Sequence, residues 1–402
     1  MDSFRKLGIS EYVVKAIEEH KFEAPSEVQE KSIPFILKGK DVVAGSATGS
    51  GKTLAFGVGI IQNCEKGRGI QALVLTPTRE LAEQETRALR KFSKYKPLSI
   101  VDVYGGVSIN PQIDELRNAD VVVGTPGRIL DHIDRRTIRF ENLKILVLDE
   151  ADRMLDMGFI DDVTKIIREL PGKRQTLLFS ATISSDIFYL AGKWMKKDVV
   201  EVEAESYVDP KKLSQFYYDV PDNLKFSLLV HLLGHEHAGL IMVFCNTRRN
   251  VDFVAKNLRF SGIDASPIHG GFSQEKRTRT MDAFNSRKAR VLVCTDVAAR
   301  GLDIKGVSHV YNYDLPKESK EYIHRIGRTA RAGKEGKAVS ILASRDYDSF
   351  RKILKDDEVQ ITQEKLPFLE KRRIRWMDKP KGYDNRDREY QHRQNKRRFG
   401  RR

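Results

Sequence analysis

Short, strongly apolar runs recur along this chain, separated by longer stretches with helical periodicity. Through the first 200 residues they read DVVAGS, QALVLT, SIVDVYGG, DVVVGT, KILVLD and QTLLFS. Apolar character that is unbroken rather than alternating marks strands buried on both faces. Strands separated by helices build a parallel sheet covered by helices on each side. After a polar, Pro-containing stretch at 204–212 (AESYVDPKK) the pattern restarts with SQFYYDV, LIMVFC, VLVCT, SHVYNYD and KAVSIL. A chain of 402 residues also exceeds the ~250–300 at which single hydrophobic cores stop growing. The sequence therefore predicts an α/β protein with two tandem domains, 1–204 and 213–365, a linker at 205–212 and a tail at 366–402.

Charge is placed unevenly. The net charge is +15, and residues 371–402 alone carry fourteen Lys/Arg against four Asp/Glu, a balance of +10. With few aliphatic residues such a segment cannot bury enough apolar surface to order itself, so it reads as a disordered polycation whose natural partner is a polyanion. Trp376, Tyr383, Tyr390 and Phe399 interleave with the cations, and bases stack on aromatic rings, which favours a nucleic acid over a merely solubilising role. No 18-residue apolar run or signal-peptide pattern appears, which predicts an intracellular, cytoplasmic protein without a membrane segment. Cys64, Cys245 and Cys294 are widely spaced and read as reduced thiols in or near a core.

The chemistry concentrates at strand ends. SATGSGKT, residues 46–53, follows the run DVVAG and precedes the helical pattern TLAFGVGII. That is the context of a phosphate-binding loop, in which glycines let backbone N–H groups converge on phosphate oxygens and the helix dipole adds to the attraction. Ser46, Ala47, Thr48, Gly49, Ser50 and Gly51 would form the cradle, Lys52 would reach the β- and γ-phosphates, and Thr53 would ligate Mg²⁺. The first position of the pattern is Ser46 instead of Gly. Farther on, VLDEADRML at 147–155 ends an apolar run with three acids in four positions. Open α/β sheets bind ligands at the carboxyl ends of their strands, so Asp149 becomes a Mg²⁺ carboxylate, acting through water, and Glu150 a base that orients and deprotonates the attacking water.

DEAD at 149–152 names a family. With the phosphate loop, PTRELA at 77–82, GG at 105–106, TPGR at 125–128, SAT at 180–182, TDVAARGLD at 295–303 and HRIGRTAR at 324–331, the chain resembles a DEAD-box ATP-dependent RNA helicase from about residue 4 to 340. The resemblance implies two RecA-like domains that bind ATP and RNA in and across their cleft. It makes Phe22, Pro25, Ser26 and Gln29 an adenine-reading element, with Phe4 the isolated aromatic before it. A carboxamide suits adenine because it offers both a donor and an acceptor. Arg328 and Arg331 become arginine fingers, and Asp303 a partner of the ribose hydroxyls. Asp152, Ser180, Thr182 and His324 resemble elements that couple nucleotide to RNA. Thr78, Arg79, Gly106, Thr125, Gly127 and Arg128 in the first half, and Thr247, Arg248, Gly271, Gln274, Arg277 and Thr295 in the second, suit a sugar-phosphate backbone and would read RNA without regard to sequence. Four positions depart from the family's commoner pattern: Lys21 and Ala330 where Gly is usual, Ser26 for Thr, and Gly271 for Asp.

The activity so implied is an RNA-dependent ATPase, acting as a monomer with ATP and Mg²⁺, that opens short duplexes or remodels RNA–protein complexes. A slow ATP-dependent RNA clamp is the alternative, and a P-loop kinase or GTPase would need neither Gln29 nor the second-half arginines. GHEHAG at 234–239 sets His235, Glu236 and His237 side by side, which is not the one-face spacing of a helical metal site.

Overall fold

The computed structural model describes residues 1–46, 49–204, 212–235, 239–299, 304, 306–330, 335–356 and 359–375. Ala47, Thr48, Asp303, Arg331, Glu236, His237, residues 205–211 of the expected linker and residues 376–402 lie outside the described residues. The chain forms two compact units and carries two seven-stranded sheets.

The first sheet comprises β1 (Val42–Gly45), β2 (Ala72–Leu75), β3 (Ile100–Val103), β4 (Val121–Gly124), β5 (Ile145–Leu148), β6 (Gln175–Ser180) and β7 (Val200–Glu203), in the order β3-β4-β2-β5-β6-β1-β7. Every pairing in it is parallel. Each apolar run alternates between two cores. Ala72 and Val74 of β2 face one core with Phe56, Leu89 and Val123, while Leu73 and Leu75 face the other with Ile129, Leu146 and Met154. Burial on both faces is why these runs read as continuous rather than alternating.

The second sheet comprises β8 (Leu213–Asp219), β9 (Leu240–Phe244), β10 (Ala265–Ile268), β11 (Val291–Cys294), β12 (Val307–Asn312), β13 (Gly336–Leu342) and β14 (Thr362–Gln363), in the order β10-β11-β9-β12-β13-β8-β14. Strands β10 and β9 pair with β11 in parallel. Both sheets thus follow one order, with the third and fourth strands in sequence at one edge and the seventh at the other, which fits a repeated RecA-like plan. Cys64, Cys245 and Cys294 are buried and in no disulfide, and burial pushes the Cys64 thiol up to about 12.

Residues 366–375, expected within the free tail, are held instead. Leu366, Leu369 and Ile374 pack against the core to which helices Lys225–His235 and Arg248–Phe260 contribute. Asn257 brackets the backbone of Arg375, accepting from its N–H at 2.7 Å and donating to its carbonyl at 3.2 Å, while the Arg375 guanidinium covers the Phe260 ring at 3.7 Å. The composition of the whole basic segment averages over these three aliphatic anchors. Among the described residues no helix is long and apolar enough to cross a membrane.

Candidate nucleotide and RNA site

The carboxyl ends of the first sheet carry the candidate nucleotide residues. Ser46 continues the line of β1 by donating its N–H to the Ser180 carbonyl at 2.8 Å, and Asp149 continues β5 by donating to Leu75 at 3.0 Å. Gly49 and Gly51 both have left-handed φ, 85° and 92°. At Gly51, which precedes helix Lys52–Asn63, a Cβ would fall 2.3 Å from Gln29 Nε2, so glycine is required for both conformation and space. The serine at the first loop position is accommodated by a hydrogen bond between the Ser46 and Ser50 hydroxyls. Lys52 is 6% exposed and donates from Nζ to the Ser46 carbonyl at 3.1 Å, so the cation already sits inside its own loop.

Asp149 is 2% exposed, and its Oδ1 is buried without a hydrogen-bond partner. Burial holds this carboxyl above the ordinary carboxylate range; nearby Lys52 and Arg153 pull it down and Asp152 pushes it up. A buried oxygen with no donor is the kind of group a bound cation or its water shell satisfies, so the donor set fits a magnesium site. Glu150 has a left-handed backbone, φ 52° and ψ 50°, and its buried carboxylate pairs with Arg153 one helical turn on. Strained backbone of this kind in a non-glycine residue persists where the surroundings over-determine it. Thr53 turns its hydroxyl to Glu85 Oε1 at 3.0 Å.

Asp152, Ser180 and Thr182 come together, the two hydroxyls in different roles. Asp152 Oδ2 accepts from both the N–H and the hydroxyl of Thr182 at 3.3 Å, whereas Ser180 Oγ accepts from the backbone N–H of Asp152 at 3.3 Å and donates to the Thr182 carbonyl at 2.7 Å. Ser180 therefore fixes the backbone that carries the acid.

Upstream, Gln29 is tied to the loop. Its Oε1 accepts from the Ser26 N–H at 3.0 Å, its Nε2 donates to the Gly51 carbonyl at 3.0 Å, and Ser26 Oγ donates to the Ser50 carbonyl at 2.6 Å. One lone pair and one proton of the carboxamide remain for a ligand. Phe22 is half-buried, its ring 6.0 Å from that of Phe92, whereas Phe4 lies wholly inside the first core. The two departures from glycine share a geometry that the sequence does not reveal: Lys21 has φ 57° and Ala330 has φ 54°. Each carries a side chain where glycine is free of penalty, at a cost on the order of 1 kcal/mol.

The candidate RNA residues of the first half gather at the ends of β2, β3 and β4. Thr78 caps helix Arg79–Phe92, and the Arg79 guanidinium lies 4.3 Å over the Tyr104 ring, close to Gly106. Burial, and then a hydrogen bond with Glu83, raise the Tyr104 phenol above its ordinary range, so it stays neutral. Arg128 spends its guanidinium on the protein, with Nη2 on the Val107 carbonyl at 2.9 Å and Nη1 on Gln112 Oε1 at 3.1 Å. These bonds tie it to the segment after β3 and to helix Asn110–Leu116. Thr125 precedes helix Pro126–Asp134, and a Cβ on Gly127 would meet only open space.

The second half repeats the device. Thr247 has φ −130° and ψ 150° where Thr78 has −134° and 153°, and each hydroxyl accepts from the N–H three residues on. Arg248 is exposed beside Gly270 and Gly271. The Gly271 N–H donates to His269 Nδ1 at 3.1 Å, and His269 Nε2 faces both Asp252 oxygens at 3.1 Å, so an imidazole shapes this loop. Gln274 opens helix Gln274–Asn285, which also carries Arg277, and Thr295 follows β11. His324 lies on helix Ser319–Ile326, and Arg328 is 6% exposed just beyond it. Arg325, 1% exposed, forms a two-pronged pair with Asp296, both contacts at 2.6 Å. Arg153, Glu85, His269 and Arg325 do not stand out as site residues in the sequence. The three-residue spacing of Glu150 and Arg153 was a usable signal; nothing in the sequence joins Thr53 to Glu85.

Comparison with known proteins agrees with this geometry. Residues 26–188 match the DEAD/DEAH box helicase family model, and 224–333 match the helicase conserved C-terminal domain. The DEAD-box ATP-dependent RNA helicase CshA of Geobacillus kaustophilus is 43% identical over 373 residues, covering 92% of this chain and 80% of the relative. The ATP-dependent RNA helicase CshA of Listeria monocytogenes is 45% identical over 354 residues, 87% of this chain and 68% of the relative. Among solved structures, S. cerevisiae Dbp5 bound to RNA and ADP BeF3 is 34% identical with a TM-score of 0.82, covering 90% of this chain and 96% of that one. Mss116p bound to ssRNA and AMP-PNP is 28% identical with a TM-score of 0.81, covering 91% and 80%. With two RecA-like sheets, a phosphate loop, the acids at the end of β5 and relatives of this identity along most of its length, the chain belongs to the DEAD-box family of ATP-dependent RNA helicases.

Proposed function

We propose that this helicase hydrolyses ATP with residues drawn from two domains, 1–204 and 213–365, and that the cycle opens short RNA duplexes locally or remodels RNA–protein complexes. The observation that carries the reading is Asp149, its Oδ1 buried without a partner between the charges of Lys52, Asp152 and Arg153 at the end of β5. Gln29 and Phe22 hold adenine, Lys52 and the N–H groups of 46–53 hold the phosphates, and Asp303 holds the ribose. Thr53 and, through water, Asp149 would hold Mg²⁺. Bound there, the ion neutralises charge on the phosphate oxygens. Glu150 orients the attacking water and takes its proton, and Arg328 and Arg331 stabilise the charge that develops on the γ-phosphate.

RNA meets the threonine, arginine and glycine positions at the strand ends of both halves, mostly through its sugar-phosphate backbone. The Dbp5 and Mss116p structures, bound to RNA and nucleotide, support this partner. ATP and a single strand each favour the closed arrangement of the domains, so each strengthens binding of the other. A strand bent by closure leaves its duplex partner, and phosphate release resets the enzyme. Asp152, Thr182 and His324 report nucleotide state to the RNA side. The expected result is that single-stranded RNA raises steady-state phosphate release at least about tenfold, with each domain positioned by both ligands. Equal rates with and without RNA would refute the coupling, and release that stalls after one turnover would mark a clamp instead.

The basic tail adds affinity by charge. Residues 376–402 hold ten Lys/Arg and four Asp/Glu. Ending the chain after Arg375, which keeps the anchored segment, should weaken RNA binding and flatten its salt dependence, because counterion release contributes about 0.7 per neutralised phosphate of a single strand. Identical slopes of log Kd against log salt would show the tail to be idle.

A further inference from the structure

Glu85 is a buried carboxylate that none of the steps above uses. It is 2% exposed on helix Arg79–Phe92, where that helix runs beside helix Lys52–Asn63. The helices are close: a Cβ on Gly57 would fall 2.9 Å from Leu89 Cδ2. Four residues earlier on each helix, Thr53 Oγ1 donates to Glu85 Oε1 at 3.0 Å. Placing a carboxylate in a helix–helix seam is costly, and an apolar side chain would fill the seam without that cost.

The chemistry of the pair supplies a reason. A threonine hydroxyl has one proton and two lone pairs. When Glu85 takes the proton, the hydroxyl loses its rotational freedom and keeps its lone pairs for another partner. Side chains that ligate metals are commonly oriented by a hydrogen bond to a carboxylate behind them, which also raises their basicity. We propose that Glu85 is a positioning residue for the magnesium site, holding the Thr53 hydroxyl with a lone pair toward the cation. This rests on the assignment of Thr53 as a magnesium ligand. A purely structural Glu85 would stabilise the helix seam and leave cation affinity alone.

The test uses the full-length chain and equilibrium binding of a fluorescent ADP analogue, titrated with free Mg²⁺ and repeated in EDTA. Glu85→Ala is expected to raise the Mg²⁺ concentration at half-maximal binding about tenfold, within the range that loss of such an orienting partner causes in other metal sites. Nucleotide affinity in EDTA should change by less than about twofold, since the phosphate loop and Lys52 are intact. Glu85→Gln keeps an acceptor carbonyl and should shift the midpoint by less than Glu85→Ala. Should the alanine variant not fold, as judged by its thermal melt, the glutamine variant decides the matter by any displaced midpoint. Thr53→Val separates the two layers of the assignment. If it shifts the Mg²⁺ midpoint and the folded Glu85 variants do not, the role of Glu85 is overturned while the magnesium ligand stands. If Thr53→Val itself leaves the midpoint in place, the ligand assignment fails and the role of Glu85 fails with it.

Discussion

Glu150→Gln leaves ATP bound and lowers RNA-stimulated turnover by roughly 10²–10⁴-fold, the span associated with losing a positioned general base. The substitution keeps the shape of the side chain and an oxygen that can still accept from Arg153, so the left-handed backbone at position 150 and the start of helix Ala151–Asp156 are retained. What is lost is the capacity to take a proton from water. Equilibrium binding of ATP with Mg²⁺ should match the parent within about threefold, while single-turnover phosphate release in the presence of RNA collapses. Undiminished release would remove Glu150 from its role as base and direct attention to another acceptor.

Lys52→Ala acts earlier in the cycle. The ammonium group is the one side-chain cation inside the 46–53 loop, already desolvated and resting on the Ser46 carbonyl. On the proposed assignment, its removal takes away a charge that meets the phosphates in both the ground state and the transition state. It also takes away the larger of the two charges that draw the buried Asp149 carboxyl down toward ionisation, leaving Arg153 to oppose burial and Asp152. Both effects point the same way. The expected loss in kcat/KM is about 10²–10³-fold, comparable to deleting one preorganised electrostatic contact in other active sites. Nucleotide affinity measured by calorimetry should fall as well, and a fully active variant would contradict the phosphate-loop assignment.

How much of this could be read from the residues alone depended on whether the physics was local. The central strands of both sheets announced themselves because a strand buried on two faces must be apolar throughout. Strands β7, β10 and β14 carry no such mark because they lie at the edges of their sheets, where that demand relaxes: VEVE alternates, ASPI contains Pro267, and Thr362–Gln363 is a two-residue pairing. The phosphate loop and the acids at 149–152 were legible because backbone convergence and strand-end placement impose a spacing. Thr78 and Thr247 were legible for the same reason, each ending a strand and capping a helix.

Partnerships across the fold were not legible. Gln29 reads as an adenine ligand by its chemistry, yet most of its visible work is done on Ser26 and Gly51. Arg128 reads as a phosphate contact, and its bonds to Val107 and Gln112 are partnerships that no sequence spacing announces. Left-handed backbone at Lys21 and Ala330 leaves no trace in side chains that are not glycine. Composition starts the tail too early because Leu366, Leu369 and Ile374 are few among many cations, yet these three pack on the core and Asn257 brackets Arg375.

The decisive issue is whether hydrolysis depends on arginines far along the chain from the phosphate loop. It is tested most directly by phosphate release from the full-length protein carrying Arg328→Ala and Arg331→Ala together, saturated with ATP, Mg²⁺ and single-stranded RNA. A division of the catalytic centre between the two halves predicts a fall of about 10³–10⁵-fold, the measured worth of arginine fingers elsewhere, with nucleotide still bound. Turnover equal to that of the unaltered protein would mean that the first half hydrolyses ATP by itself.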